Sequence, residues 1–166
     1  MLAHPNAAQI LPMFAAMHPD AFEPIATTGV PLVVREDWQD LLKAIMAVGT
    51  KTLWFTFHGI KSVHDRAVNR PGAYDETCLA VKRAKKAGFR CGCNVFVTKE
   101  NLAQFETFVQ NLQSLELDEM FWEVARYHAT PRRRQGEASR PELTDLEVSK
   151  AVEHMMLRTF PEKTPD

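Results

Sequence analysis

The stretch Leu53–Gly88, "LWFTFHGIKSVHDRAVNRPGAYDETCLAVKRAKKAG", decides how the rest of the chain is read. It passes from an apolar run through polar residues and a Pro-Gly turn into a helical pattern closed by Gly88. Side chains alternate along a strand, so Leu53, Phe55 and Phe57 share one face and Trp54, Thr56 and His58 the other. In the helix read over 74–88, Cys78, Val81 and Ala84 fall on one side. Basic residues gather near its C-terminus, where the helix dipole favours them. Strand, loop and helix make one βα unit, with His64-Asp65 in the loop.

The same plan recurs on both sides. Upstream, "EPIATTG" (23–29) reads as a brief strand closed by Gly29. "REDWQDLLKAIMAVG" (35–49) then sets Trp38, Leu41, Leu42, Ile45 and Val48 on one helical face before Gly49. Before them, Asn6 is placed to cap a short helix, "AAQILPMFAAM" (7–17), with Ile10, Leu11 and Phe14 at helical spacing and Pro12 disturbing its middle. Downstream, "FRCGCNVFVT" (89–98) is a strand. Thr98 caps a helix over 99–115 whose apolar stripe is Leu102, Phe105, Val109 and Leu112, and "EMFWEVARY" (119–127) is a fourth strand. The segment 130–142 is polar, basic and Pro-flanked, hence a loop. A last helix comes after it, from a Thr144/Glu147 capping box. Alternation of this kind predicts an α/β fold with parallel strands joined by right-handed crossovers, in one domain over 1–166.

Composition sets outer limits. The chain has 166 residues, 45% of them hydrophobic and 25% charged, which suits one soluble globular domain with a core of its own. A net charge of -1 with interspersed signs indicates neither a nucleic-acid footprint nor a membrane-surface preference. The N-terminus does not read as a signal peptide and no stretch reads as a membrane span, so the expected compartment is the cytoplasm. Cys78, Cys91 and Cys93 cannot build a disulfide framework, which agrees with a reducing environment.

In parallel α/β folds, ligands bind at the C-terminal ends of the strands. With the apolar faces turned toward the helices, Thr56, His58, Asn94 and Thr98 would line the inside or mouth of a curved sheet. Each also has a plain structural reading: Thr98 as a helix cap, Asn94 as a strand-end hydrogen bonder, His58 as a turn residue. His64-Asp65 could orient a base or, with His58, hold a metal for hydrolysis; a local hydrogen bond or helix cap is the competing reading. Cys91-Gly-Cys93 lacks zinc or redox spacing and points both thiols to one apolar face. Arg132-Arg133-Arg134 could grip phosphate or simply sit in a solvated loop.

Laid out in order, these units resemble the C-terminal part of a radical S-adenosylmethionine (SAM) enzyme core. "MLAHPN" (1–6) looks like the residues just after that family's Gly-Gly-Glu-Pro segment, and "PIATTG" (24–29) like its third strand. The stretch 55–88 is similar to the fourth strand and its His-Asp loop. "NVFVTKENLAQFETFV" (94–109) resembles the fifth unit with its Val-Thr-x-x-Asn turn, and "EVARYHATPRRR" (123–134) the sixth strand and exit loop. The resemblance covers most of residues 1–130. It implies a partial parallel (βα) barrel of TIM-barrel type, about four βα units, incomplete at its N-terminal edge, with 131–166 as a basic loop and C-terminal helix.

It also implies a chemistry. Such enzymes hold a 4Fe-4S cluster on three cysteines of a CxxxCxxC loop, bind SAM at the remaining iron, and cleave it reductively to a 5′-deoxyadenosyl radical that abstracts hydrogen. Carried over by position, Thr56 and His58 would approach the SAM ribose, and Asn94 with Thr98 the adenosine or carboxylate. Arg126 would reach the site from the last strand. This chain contains neither CxxxCxxC nor Gly-Gly-Glu. The expectation is therefore a fragment or truncated form of a radical SAM enzyme, inactive alone and holding no cofactor by itself. The alternative is a non-catalytic degenerate barrel that binds a ligand or a protein. An open sheet edge at 24–29 would favour self-association.

Overall fold

The computed structural model describes residues 2–18, 24–124, 146, 147 and 149. Helix α1 (Ala7–Met17) precedes strand β1 (Ile25–Thr27). Helices α2 (Pro31–Val34) and α3 (Trp38–Ala47) then lead to β2 (Thr52–Phe57), and α4 (Lys61–Ala67) and α5 (Ala73–Lys86) to β3 (Arg90–Val97). Helices α6 (Lys99–Leu102) and α7 (Phe105–Gln113) lead to β4 (Glu119–Val124). The strands form one parallel sheet in the order β1-β2-β3-β4, so the α/β class with strands and helices alternating is what the chain adopts.

Sequential order has a geometric consequence. Crossovers of one hand that always step the same way leave their helices on the same side of the sheet. Burial obeys that rule. Leu53, Phe55, Phe57, Cys91, Cys93, Val95 and Val97 are all fully buried and, by register, lie on one face. They pack with Leu41, Leu42 and Ile45 of α3, Ala80, Val81 and Ala84 of α5, and Phe108 and Leu112 of α7 in one core. The opposite face carries Ala26, Trp54, Thr56, Asn94, Phe96 and Phe121, each at least partly exposed. Phe121 is 56% exposed.

Gly92 is the position that lets this second face take its shape. It is the register partner of Trp54, whose indole lies over it; a Cβ there would stand 2.8 Å from the ring. The glycine thus lets a large aromatic lie flat on the sheet instead of standing away from it.

Several elements depart from the sequence reading. The loop expected to hold His64-Asp65 is the helix α4, with Val63 and His64 buried. The single helix expected over 99–115 is broken at Ala103-Gln104 into α6 and α7. Its buried face is Phe105, Phe108 and Leu112, with Val109 partly buried. In α1 the chain stays helical through Pro12, but only Ala7 and Leu11 are buried, and Phe14 is 43% exposed. Asn6 occupies the cap position without a side-chain bond. Helix α3 meets expectation, with Leu41, Leu42 and Ile45 buried. In α5, Val81 and Ala84 are buried as expected, while Cys78 is only partly so. Arg126, the triple arginine run and Thr144 of the capping box lie outside the described residues.

Gly92→Ala should force the indole off the sheet and cost about 1–3 kcal/mol, the usual range for overpacking. Urea unfolding measures this. The same substitution in a Trp54→Ala background should cost little, and equal losses in both backgrounds would show that the contact does not matter.

Candidate functional site

The C-terminal ends of β2 and β3 are held by two buried polar side chains, His64 and Asn101, and a third, Asp65, holds the start of α5. After Phe57 the chain turns at Gly59, whose φ of +144° and 2.9 Å clearance to Val63 leave no room for a side chain. The turn brings α4 back under the strand end. There the His64 ring lies beside Phe57 and Tyr74, at 5.8 and 5.9 Å between centroids, and its Nδ1 accepts the backbone N–H of His58 at 3.2 Å. Burial, with the neighbouring His58, lowers the His64 pKa to about 4. The ring is therefore neutral at pH 7, as an acceptor at Nδ1 requires.

Asp65 points the other way along α4. Its carboxylate accepts the backbone N–H groups of Gly72 at 2.7 Å and Tyr74 at 2.8 Å, capping α5 from a distance. Partial desolvation raises its pKa, but those two N–H groups outweigh it, and the net shift is downward. Asn101, 1% exposed, closes the mouth from the other side. Its Nδ2 donates to the carbonyls of His58 at 2.9 Å and Phe96 at 2.6 Å, and its Oδ1 accepts the N–H of Thr98 at 2.9 Å. One side chain thus ties the ends of β2 and β3 together while completing a capping box with Thr98.

Above this clamp lie the expected site residues. Thr56 and Asn94 are register partners on the open face, both half-buried. His58 continues that face and stacks on Phe96, at 5.7 Å with 14° between planes. Thr98 stands at the start of α6 as its cap. The structure brings Thr56, His58, Asn94 and Thr98 to the same end of the sheet. Hydroxyl and amide side chains here can exchange hydrogen bonds with an uncharged polar ligand. Trp54, Phe96 and Phe121 offer faces on which a planar ring can stack.

The metal-hydrolase arrangement of His58, His64 and Asp65 does not form. His64 Nδ1 is taken by a backbone N–H, and Asp65 is turned to the N-terminus of α5. Among the described residues no three His, Cys, Asp or Glu side chains gather as metal ligands. Cys91 and Cys93 lie on the helix side of the sheet, and burial pushes each thiol up to about 12, so both stay protonated. Cys78 sits on α5 beside Tyr74, its pKa also raised, by burial first. The local hydrogen bond and helix cap read for His64-Asp65 are what the two residues make; sequence reasoning missed the role of Asn101, for which the Thr98-x-x-Asn101 spacing is the signal.

No protein-family model matches the chain, and neither does any of the curated proteins with which it was compared. No described helix is long and apolar enough to cross a membrane.

The His64 shift has a stability consequence. Its folded pKa, about 4, lies below the ordinary 6.5, so the neutral ring's stability is fully present above pH 6.5 and lost as pH falls toward 4. The loss should reach roughly 2–3 kcal/mol, at about 1.4 kcal/mol per pKa unit. His58, Asp65 and Arg70 act on the ring and are present in both proteins. The comparison is therefore with His64→Asn, which keeps an acceptor near Nδ1 and does not ionise. Urea midpoints from pH 7.5 to 4 should converge for the two proteins as pH falls. Parallel curves would remove His64 from the account.

Proposed function

We propose that the open face of the sheet is a nucleoside-binding surface of radical SAM type, a partial barrel taking the adenosine part of SAM at Thr56, His58, Asn94 and Thr98. The observation that carries this reading is the face of a sequentially ordered parallel sheet that no described helix covers, with a hydroxyl-amide pair in register and aromatic rings beside it. Parallel sheets are usually covered on both faces, so an open one needs an occupant. Arg126 joins the site only by the family resemblance.

The fit of the cofactors differs. Thr56 and Asn94 suit the uncharged hydrogen-bonding groups of a nucleoside. The cysteines do not suit an iron-sulfur cluster, because Cys91 and Cys93 are buried beneath the sheet as protonated thiols and Cys78 is on a helix. The chain alone therefore binds the nucleoside and does not cleave SAM. The second reading, a non-catalytic module, shares the same face and differs in that it would show no preference for a nucleoside.

S-adenosylhomocysteine serves as the probe. Titrated into the chain, it should shift the Thr56 and Asn94 amide resonances saturably, and a Thr56→Val/Asn94→Leu double variant should bind about fivefold more weakly, as for roughly 1 kcal/mol of lost hydrogen bonding. Shifts that do not saturate by millimolar ligand would reject the nucleoside reading. Anaerobic reconstitution should leave no stoichiometric iron; four irons per chain with a broad visible band would reject the cluster argument.

Self-association belongs to the same reading. Strand β1 pairs with β2 alone among the described strands, so its other edge offers free backbone groups. Sedimentation should show association that grows with concentration, whereas a monomer throughout the range would speak against this edge as a contact.

A further inference from the structure

On the outer side of the helix layer, away from the sheet's open face, α3 and α5 enclose a groove of about 500 Å³. That volume falls in the range of small-molecule sites. Its apolar lining is Trp38, Leu42 and Met46, the last 45% exposed. Its charged lining is entirely cationic: Lys43, Arg83 and Lys86.

The three cations are not equivalent. Lys43 makes an exposed ion pair with Asp40 at 2.9 Å. Arg83 is fixed in place, with its guanidinium 4.3 Å over the Trp38 ring and Nη1 donating to the Leu32 carbonyl at 2.5 Å. That bond immobilises the charge without cancelling it. Lys86 lies in the last turn of α5, and no carboxylate pairs with it among the described residues. Arg83 and Lys86 thus set a positive field at the rim of an apolar trough whose lining includes no acidic side chain.

We infer that this groove is a binding site for a small amphipathic anion, an aromatic or alkyl carboxylate whose apolar part lies against Leu42 and Met46 and whose charge meets Arg83 and Lys86. The inference stands apart from the nucleoside reading, since the groove shares no residue with the open face.

Naphthalene-1-acetate and its neutral amide, matched in shape and differing in charge, separate the charge requirement from simple apolar contact. The carboxylate should perturb the Trp38 indole N–H resonance and bind about three- to tenfold more tightly than the amide, the scale of one partly screened ion contact. Lys86→Glu, at an exposed position, should abolish that preference and leave amide binding unchanged. Equal binding of the two probes, an unchanged preference in Lys86→Glu, perturbation confined to Trp54 and Phe121, or no binding at all would each overturn the proposal. If S-adenosylhomocysteine fails to bind while the carboxylate still does, only the nucleoside reading falls.

Discussion

Four parallel strands that succeed one another in space as they do in sequence can cover only one of their faces with their own helices. Every crossover steps the same way, and the right-handed rule then sends each helix to the same side. The rest of the molecule depends on that constraint. Phe55 and Phe57, Cys93 and Val95 can be as apolar as a core requires because they are always under a helix. Trp54, Thr56, Asn94 and Phe121 stand on the side that no crossover reaches, so one face of this sheet is polar and aromatic and the other is packing.

Among the described residues no second layer supports the strand ends on this face. The chain supplies that support with polar side chains placed where solvent is scarce. Asn101 donates to two carbonyls and accepts one N–H, which binds the ends of β2 and β3 to the start of α6. His64 accepts the His58 N–H, and Asp65 holds the start of α5. Each group would cost free energy if buried unpaired, and paired it fixes the position of its neighbours. Of the two readings that His64-Asp65 allows in one dimension, catalytic pair or local hydrogen bond and cap, the structure holds the second. Their neighbour His58, stacked on Phe96, stays with the open face.

The helix layer repeats this division on a smaller scale. The stripe Leu41, Leu42, Ile45 of α3 and the stripe Ala80, Val81, Ala84 of α5 are committed to the core. What remains between the two helices is a trough whose apolar floor and fixed guanidinium result from packing Trp38 against Arg83. A groove of this kind arises because α5 presents small alanines to the sheet and long basic side chains to the outside. The basic residues near its C-terminus also complement the helix dipole. Two separate surfaces, one polar and aromatic, one apolar and cationic, therefore lie on opposite sides of the same core.

Much of this was legible in the sequence, because alternation with period two and stripes of period 3.6 are local signals. They sufficed for four strands, for the faces of α3 and α5, and for placing Thr56, His58, Asn94 and Thr98 at one end of the sheet. Residue types in sequence also determined that Cys91 and Cys93 would share an apolar face. What local pattern did not carry was the helical turn at Lys61–Ala67, the break at Ala103-Gln104, the exposure of Phe14 and the clamp made by Asn101. Each depends on which distant residue comes near. Phe14 lies on a face of α1 that finds little to pack against, and Asn101 needs two carbonyls that lie 43 and 5 residues away in the chain. Sequence determined the period of each element and hence its two faces. Tertiary structure decided which polar side chains became clamps and which stayed on the open face, because hydrogen-bond satisfaction is settled only when separate elements meet.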